Sequence, residues 1–379
     1  MHSAKKIIVI GGGIGGAAAA VSLHRNGFEP VVYERVKELR EVGAGIALWA
    51  NATHVLKKLD LLESALRVGV VTSNYQFNSQ SGKELVNVPV DGFELPTIAI
   101  HRADLHELLI SKIPEKEFIL GETFEQLELQ RNKVSARFAS GLTIEGDALI
   151  GADGLKSIVR TELFGEQQPI YRNFTTWRGL TSHTPNTYRS GYIREFLGRG
   201  KEFGFMMLGK NRMYWYAAAL ARENQLDATV GRKKELEDMF QDWFASIPEL
   251  IAATDEADII KTNLYDRIPA LPWSKQNITL LGDAAHPTLP TLGQGACMAL
   301  EDAVVVTKCL LENSEAAVAF REYESVRFER TKYIVKQSLR SAQMGKLQHP
   351  IQVALRETLM KLIKPVIKNS FKSLHGYRA

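Results

Sequence analysis

The first apolar run of the chain does not alternate. Positions 6–10 read Lys-Ile-Ile-Val-Ile, and a β-branched run with apolar side chains on both faces predicts a parallel strand buried from both sides. A glycine-rich stretch follows, and 17–23 is then rich in strong helix formers. A second short strand is predicted over 30–33, stopping at Glu34. The same figure, an apolar strand ending in glycine and aspartate, recurs at 148–153 and 277–283, and a helical pattern runs from 296 to 311. The stretch 173–268 is different: it is aromatic and strand-rich. Phe203, Phe205 and Met207 alternate along one predicted strand and Met213, Trp215 and Ala217 along the next, with 198–200 and 209–211 as turns. The prolines at 269 and 272 mark the return to the first kind of pattern. A long amphipathic helix is expected over 314–345, with Phe320, Tyr323 and Val326 on one stripe. Pro350 and Pro365 punctuate a basic tail.

The turn after the first strand carries chemistry. In Gly11-Gly12-Gly13-Ile14-Gly15-Gly16, Gly11 permits a tight turn, Gly13 lets backbone approach a pyrophosphate, and Gly16 lets the helix pack on the strand. The N–H groups of that helix then face phosphate. Glu34 lies 21 residues beyond Gly13, where an acidic residue accepts hydrogen bonds from a ribose. These features predict a dinucleotide site without separating one dinucleotide from another.

Composition narrows the class. Of 379 residues, 45% are hydrophobic and 24% charged, and the net charge of +4 is too slight to imply a nucleic-acid partner. Cys297 and Cys309 fall on one predicted helix, too far apart along its axis to bridge. The expectation is a reducing, cytoplasmic setting. Lys5-Lys6 before an apolar stretch resembles a secretory leader, but the glycines interrupt it, and no 18-residue apolar run predicts an integral membrane segment. The histidines show no metal-ligand spacing, so no metal is expected.

Gly151-Ala152-Asp153-Gly154 with Ser157, Val159 and Arg160, and then Gly282-Asp283-Ala284-Ala285-His286-Pro287, follow the first glycine turn at intervals of about 140 and about 130 residues. In that order they resemble the FAD-dependent aromatic hydroxylases, the flavoprotein monooxygenases built like para-hydroxybenzoate hydroxylase. The resemblance implies an α/β fold, with a Rossmann-like FAD-binding domain from 1–75, 98–170 and 270–345. A mainly β substrate domain would be inserted from 76–97 and 171–269, with C-terminal helices from 346–379. It implies non-covalent FAD, NADPH or NADH as electron donor, O₂, and a small electron-rich, aromatic or polycyclic substrate hydroxylated or epoxidised through a C4a-hydroperoxyflavin. A flavin-dependent oxidase or reductase, a halogenase and an FAD-bound binding protein with little turnover are the alternatives.

Residue by residue, the resemblance places Gly11, Gly13, Ile14, Gly16, Glu34 and Arg35 at the dinucleotide. Asp153 helps hold the cofactor, and Asp283 hydrogen-bonds the ribityl chain; for both, the competing reading is a helix N-cap, which Asp favours. The backbone of Gly293, Gly295, Ala296 and Cys297 meets the reduced isoalloxazine at a helix N-terminus. Pro290 faces the oxygen, and Cys297 stands where many relatives carry Asn. The loop 41–46, with Gly45, folds beside the ring, and Arg102, in Ile100-His101-Arg102-Ala103-Asp104, reaches the flavin or its phosphates. Arg178 and Arg194 are candidates to anchor an acidic substrate, and Phe205 and Trp215 to roof its pocket. No side chain is assigned as an acid or base. For the tail 355–378, a solvated helix face competes with contact at an anionic membrane.

Overall fold

The computed structural model describes residues 5–39, 44–129, 133–223 and 231–379. Strand Lys6–Ile10 lies inside a six-stranded sheet, paired in parallel with Ala148–Gly151 on one side and Glu29–Glu34 on the other. That placement explains its non-alternating apolar sequence, since Ile7, Ile8, Val9 and Ile10 are all buried, with helix Ile14–Arg25 and strand Thr143–Gly146 of a three-stranded antiparallel sheet packed against the strand. Ile278–Leu280 extends the sheet beyond Ala148–Gly151, again in parallel. The expected strand at 277–283 is shorter than its pattern because Gly282 takes a left-handed φ of +61° and begins a single 3₁₀ turn, Gly282–Ala284. Gly11, Gly151 and Gly282 all lie at the carboxyl ends of these strands, the edge where open α/β sheets bind ligands. Helix Ile14–Arg25 packs on helix Gly295–Glu312. An added Cβ at Gly15 would stand 2.7 Å from Leu281 and 3.2 Å from Ala299, so glycine here sets how closely the two elements approach.

A second, seven-stranded sheet takes Asn74–Ser79 and Glu84–Pro89 from early in the chain and its other five strands from 170–266. Both of its faces are buried. Phe203, Phe205, Met213, Trp215 and Ala217 point to one side, where helices Arg232–Phe240 and Ser246–Ala252 cover them in a single cluster. Glu202, Met206, Tyr214, Tyr216 and Ala218 point to the other side, toward the first sheet, and line a cavity. Phe205 and Trp215 are therefore core and do not roof the pocket. Period-two alternation separates two faces without saying which one meets the ligand. The Trp215 indole N–H donates to Thr254 Oγ1 at 2.8 Å, and Trp215→Ala should cost about 3–5 kcal/mol in stability. Thermal unfolding should show that loss while FAD content per folded protein stays unchanged; full stability with FAD lost would contradict the packing.

The long helix runs over Ala316–Gly345. Phe320 and Tyr323 are fully buried, but Val326 is 46% exposed, because each three-residue step falls about 60° short of a turn. Arg327, Thr331 and Ile334 carry the buried stripe onward instead. Helices Pro350–Leu362 and Lys364–His375 follow, each with proline in its first turn. Among the described residues, no helix is long and apolar enough to cross a membrane.

Candidate active site

A cavity of about 520 Å³ lies between the strand ends of the parallel sheet and the inner face of the seven-stranded sheet. Its wall on the parallel-sheet side includes Gly13, Ile14, Gly15, Ala152 and Gly154. Gly11 has φ +99°, and an added Cβ would sit 2.5 Å from the Ala152 carbonyl oxygen; one at Gly16 would sit 1.9 Å from the Gly11 oxygen. At Gly13 it would meet nothing within 4 Å. Two glycines thus let the backbone close on itself, and the third faces open space at the start of helix Ile14–Arg25, which has no side-chain cap. The orphan N–H groups of such a first turn suit a pyrophosphate, so the residues present fit a dinucleotide. The Glu34 carboxylate accepts from the N–H of Gly12 at 2.7 Å and of Val36 at 3.2 Å, which fixes it beside the turn. Arg35 is exposed beyond the strand and is not part of the cavity wall.

Asp153 is placed differently from the role the resemblance implied. One carboxylate oxygen accepts from Ser157 Oγ at 2.5 Å, the other from the N–H groups of Ile158 at 2.7 Å and Val159 at 3.1 Å. Its side chain organises the start of helix Ile158–Phe164, so the helix-terminus reading describes it, and the segment contributes Ala152 and Gly154 to the cavity instead. The reason is local: a carboxylate five residues before the first residue of a helix meets free backbone donors before any ligand can.

Asp283 behaves otherwise, for its carboxylate opens onto the cavity. Seclusion from bulk water pushes it above the usual carboxylate range against the pull of His286 and Arg102, and the Asp302 charge adds to the rise. Arg102, first residue of helix Arg102–Ile110, lines the same cavity. Pro290, Gly293, Gly295 and Ala296 complete this wall, and helix Gly295–Glu312 begins there without a side-chain cap. Gly293 has φ +60° and packs so near the Trp49 indole that an added Cβ would lie 2.9 Å from its nitrogen. Cys297 is fully buried behind the wall, its sulfur 3.6 Å from the Gly293 oxygen and 3.7 Å from the Ala47 oxygen. Burial pushes its thiol up to about 12, so the sulfur is held as a protonated thiol packed behind the wall. Gly45 also lines the cavity, against Tyr214; residues 41–43 of its loop lie outside the described residues.

A buried ionic network fastens this loop. The Asp302 carboxylate accepts from the N–H of Gly282 at 3.0 Å, lies 2.6 Å from His286 Nε2, and accepts from Arg327 Nε at 2.7 Å. Arg327 Nη1 is also 2.7 Å from Glu301 Oε2, and Glu301 Oε1 accepts from Asn51 at 2.6 Å. Burial acts to raise the Asp302 carboxyl, but the charges and hydrogen bonds of His286 and Arg327 together outweigh it and leave it at about 2.

On the sheet side, Arg178 faces the cavity and donates to Thr262 Oγ1 at 3.1 Å. Arg194 does not face it: its guanidinium lies over the rings of Phe196, Phe205 and Phe244 at 4.9, 5.6 and 4.8 Å, on the opposite face. Its neighbour Glu195 takes the inward place, and residue-type reasoning missed it. Glu195 accepts a hydrogen bond from the Tyr75 hydroxyl at 2.6 Å and another from the Tyr216 hydroxyl. Burial pushes its carboxyl up to about 7 despite these bonds. Glu202 also lines the cavity and is raised, first by burial and then by Glu195. The signal was present in the sequence, as single carboxylates within apolar strands in phase opposite to the aromatics. Phe371, Leu374 and His375 of the last helix close the cavity, and His375 stacks on Trp49 with ring centroids 4.0 Å apart.

Comparison with known proteins agrees with this geometry. The FAD binding domain family matches residues 4–338. The aurachin C monooxygenase/isomerase of Stigmatella aurantiaca is 35% identical over 367 residues, 96% of this chain and 95% of that protein. The chloroplastic zeaxanthin epoxidase of Spinacia oleracea is 35% identical over 78% of this chain, which spans only 46% of that protein. The crystal structure of Klebsiella pneumoniae HpxO complexed with FAD and uric acid superposes with a TM-score of 0.92 at 26% identity, covering 98% of this chain and 96% of that one.

Proposed function

Because the chain belongs to this FAD-binding family and is an FAD-dependent monooxygenase, we propose that it uses NADPH or NADH and O₂ to oxygenate a small, electron-rich aromatic or polycyclic substrate. The observation that carries the reading is the one cavity joining the glycine turn, Asp283 and the Gly295 helix terminus to the carboxylate-bearing sheet face. In this reading the N–H groups after Gly13 hold the pyrophosphate, Glu34 the ribose and Asp283 the ribityl hydroxyls. The helix terminus at Gly295 and Ala296 stabilises negative charge on the ring. Arg102 adds a positive charge to the same wall. Bound FAD supplies the redox and oxygen-transfer chemistry. The protein orients the substrate, keeps water out and moves one proton.

That proton belongs at Glu195. Its carboxylate, held by Tyr75 and Tyr216 and poised near neutrality, can accept the proton of a substrate O–H or N–H and so enrich the ring in electrons. Arg178 then balances the negative charge left on the substrate.

The deciding experiment uses isotope-labelled dioxygen with a panel of phenols, heteroaromatics, polyketides and isoprenoids. One labelled atom in the product, with NAD(P)H consumed in proportion, is the expected result. Oxidation without label identifies an oxidase. With one cavity for all reactants, substrate should also accelerate flavin reduction by NAD(P)H in stopped-flow traces, and equal rates with and without substrate would exclude such gating. Asp283→Ala and Glu34→Ala should each weaken FAD retention by about 1.5–3 kcal/mol, the worth of a hydrogen bond to a charged group. Unchanged retention in both variants, measured by equilibrium dialysis, would remove these carboxylates from the cofactor site.

A further inference from the structure

The outer side of helix Pro350–Leu362 is apolar where a surface helix is ordinarily polar, and Val366 at the start of the next helix is exposed as well. Ile351, Leu355, Leu359, Leu362 and Val366 are 72, 65, 43, 73 and 63% exposed. Along Pro350–Leu362 the first four are spaced by four, four and three residues, which places them on one stripe. The face turned toward the protein is narrow, with only Arg356 and Met360 buried. The helix pair that carries the stripe is basic. Lys361, Lys364, Lys368 and Lys372 stand against a single acid, Glu357, in residues 350–379, and the last three of these lysines are exposed.

We propose that the helix pair 350–375 docks on an anionic lipid bilayer, with the stripe entering the headgroup–acyl boundary and the lysines meeting lipid phosphates. The pairing of an apolar stripe with a one-signed charge field selects this occupant. A second copy of the chain, meeting this one through a two-fold axis, would bring the same lysines from both sides with one glutamate per copy to offset them. An anionic bilayer satisfies both features at once. The inner side of the same pair supplies Phe371, Leu374 and His375 to the cavity wall, so a docked molecule holds its cavity one helix away from the bilayer. The docking stands apart from the oxygenase reading. Only its consequence, access for a bilayer-dissolved apolar substrate, rests on that reading.

The test floats the full-length, FAD-loaded protein with phosphatidylcholine vesicles, with or without phosphatidylglycerol, and reads FAD fluorescence in the vesicle fraction, which requires no turnover. Binding should be on the order of tenfold or more tighter with phosphatidylglycerol, and should weaken with salt. Leu355→Glu/Leu362→Glu should abolish it, and Lys364→Glu/Lys368→Glu should abolish the preference for anionic lipid. All four positions are exposed, so circular dichroism and FAD content should match the parent. Wild-type protein that stays unbound on both vesicles overturns the proposal, as does equal flotation of the variants. Light scattering covers the remaining case: a dimer that Leu355→Glu/Leu362→Glu converts to monomer, with no vesicle binding by the parent, assigns the stripe to a second copy instead.

Discussion

Asp302→Ala should unfold the cofactor loop and cost about 3–5 kcal/mol, because removing one member of a buried ion network leaves the others charged and unpaired. Asp302 is fully buried and is the common partner of the Gly282 N–H, His286 and Arg327. Without it Arg327 keeps Glu301, but the Gly282 turn that aims Asp283 into the cavity loses its anchor. FAD should therefore dissociate well before the rest of the protein unfolds, a result that loss of a remote ion pair would not produce. The pH dependence carries the same signature. The Asp302 carboxyl is depressed to about 2, so its contribution is complete above the unfolded value of about 4 and is lost as pH falls toward 2. Acid titration of the parent should show this loss in stability, and the variant should lack that part of the slope. A variant with parental stability and FAD affinity would show that the network is incidental.

Glu195→Gln should lower coupled oxygen transfer by on the order of 10²-fold or more, the usual scale for losing a positioned base. Glutamine keeps the size of the side chain and its contacts with Tyr75 and Tyr216, but cannot take a proton. A base with its carboxyl near 7 acts only when deprotonated, so the parental rate should rise with pH through about 7, and the variant should lose that inflection. FAD content should not change, since Glu195 lies on the sheet side of the cavity. NAD(P)H oxidation should persist with peroxide as its product, and Glu195→Asp should restore part of the coupling. Full coupled activity in the glutamine variant, with the inflection intact, would return Glu195 to a purely structural role.

The features readable from the chain were those built by neighbouring residues. The glycine turn, the strands on either side of it and the helix after it are local, and their requirements, a left-handed φ at Gly11 and an open Cβ position at Gly13, select glycine whatever surrounds them. The Gly295 helix and the motif around Asp283 were legible for the same reason. Asp153 shows the limit of such reading, because one local pattern serves a helix terminus and a cofactor equally, and only the distances to Ser157, Ile158 and Val159 separate them.

What the tertiary structure alone decided was orientation. Phe205 and Trp215, or Met206 and Tyr216, would alternate identically in either register, and the choice between core and cavity came from which sheet face the helices Arg232–Phe240 and Ser246–Ala252 cover. The same choice put Arg194 on the far side and Glu195 on the near side. Glu195, Glu202, Tyr75 and Tyr216 come from four separate strands, Phe371 and His375 from the last helix. No short-range pattern joins them, because the cavity is a space between elements, and its polarity depends on which side chains lose their water when those elements meet.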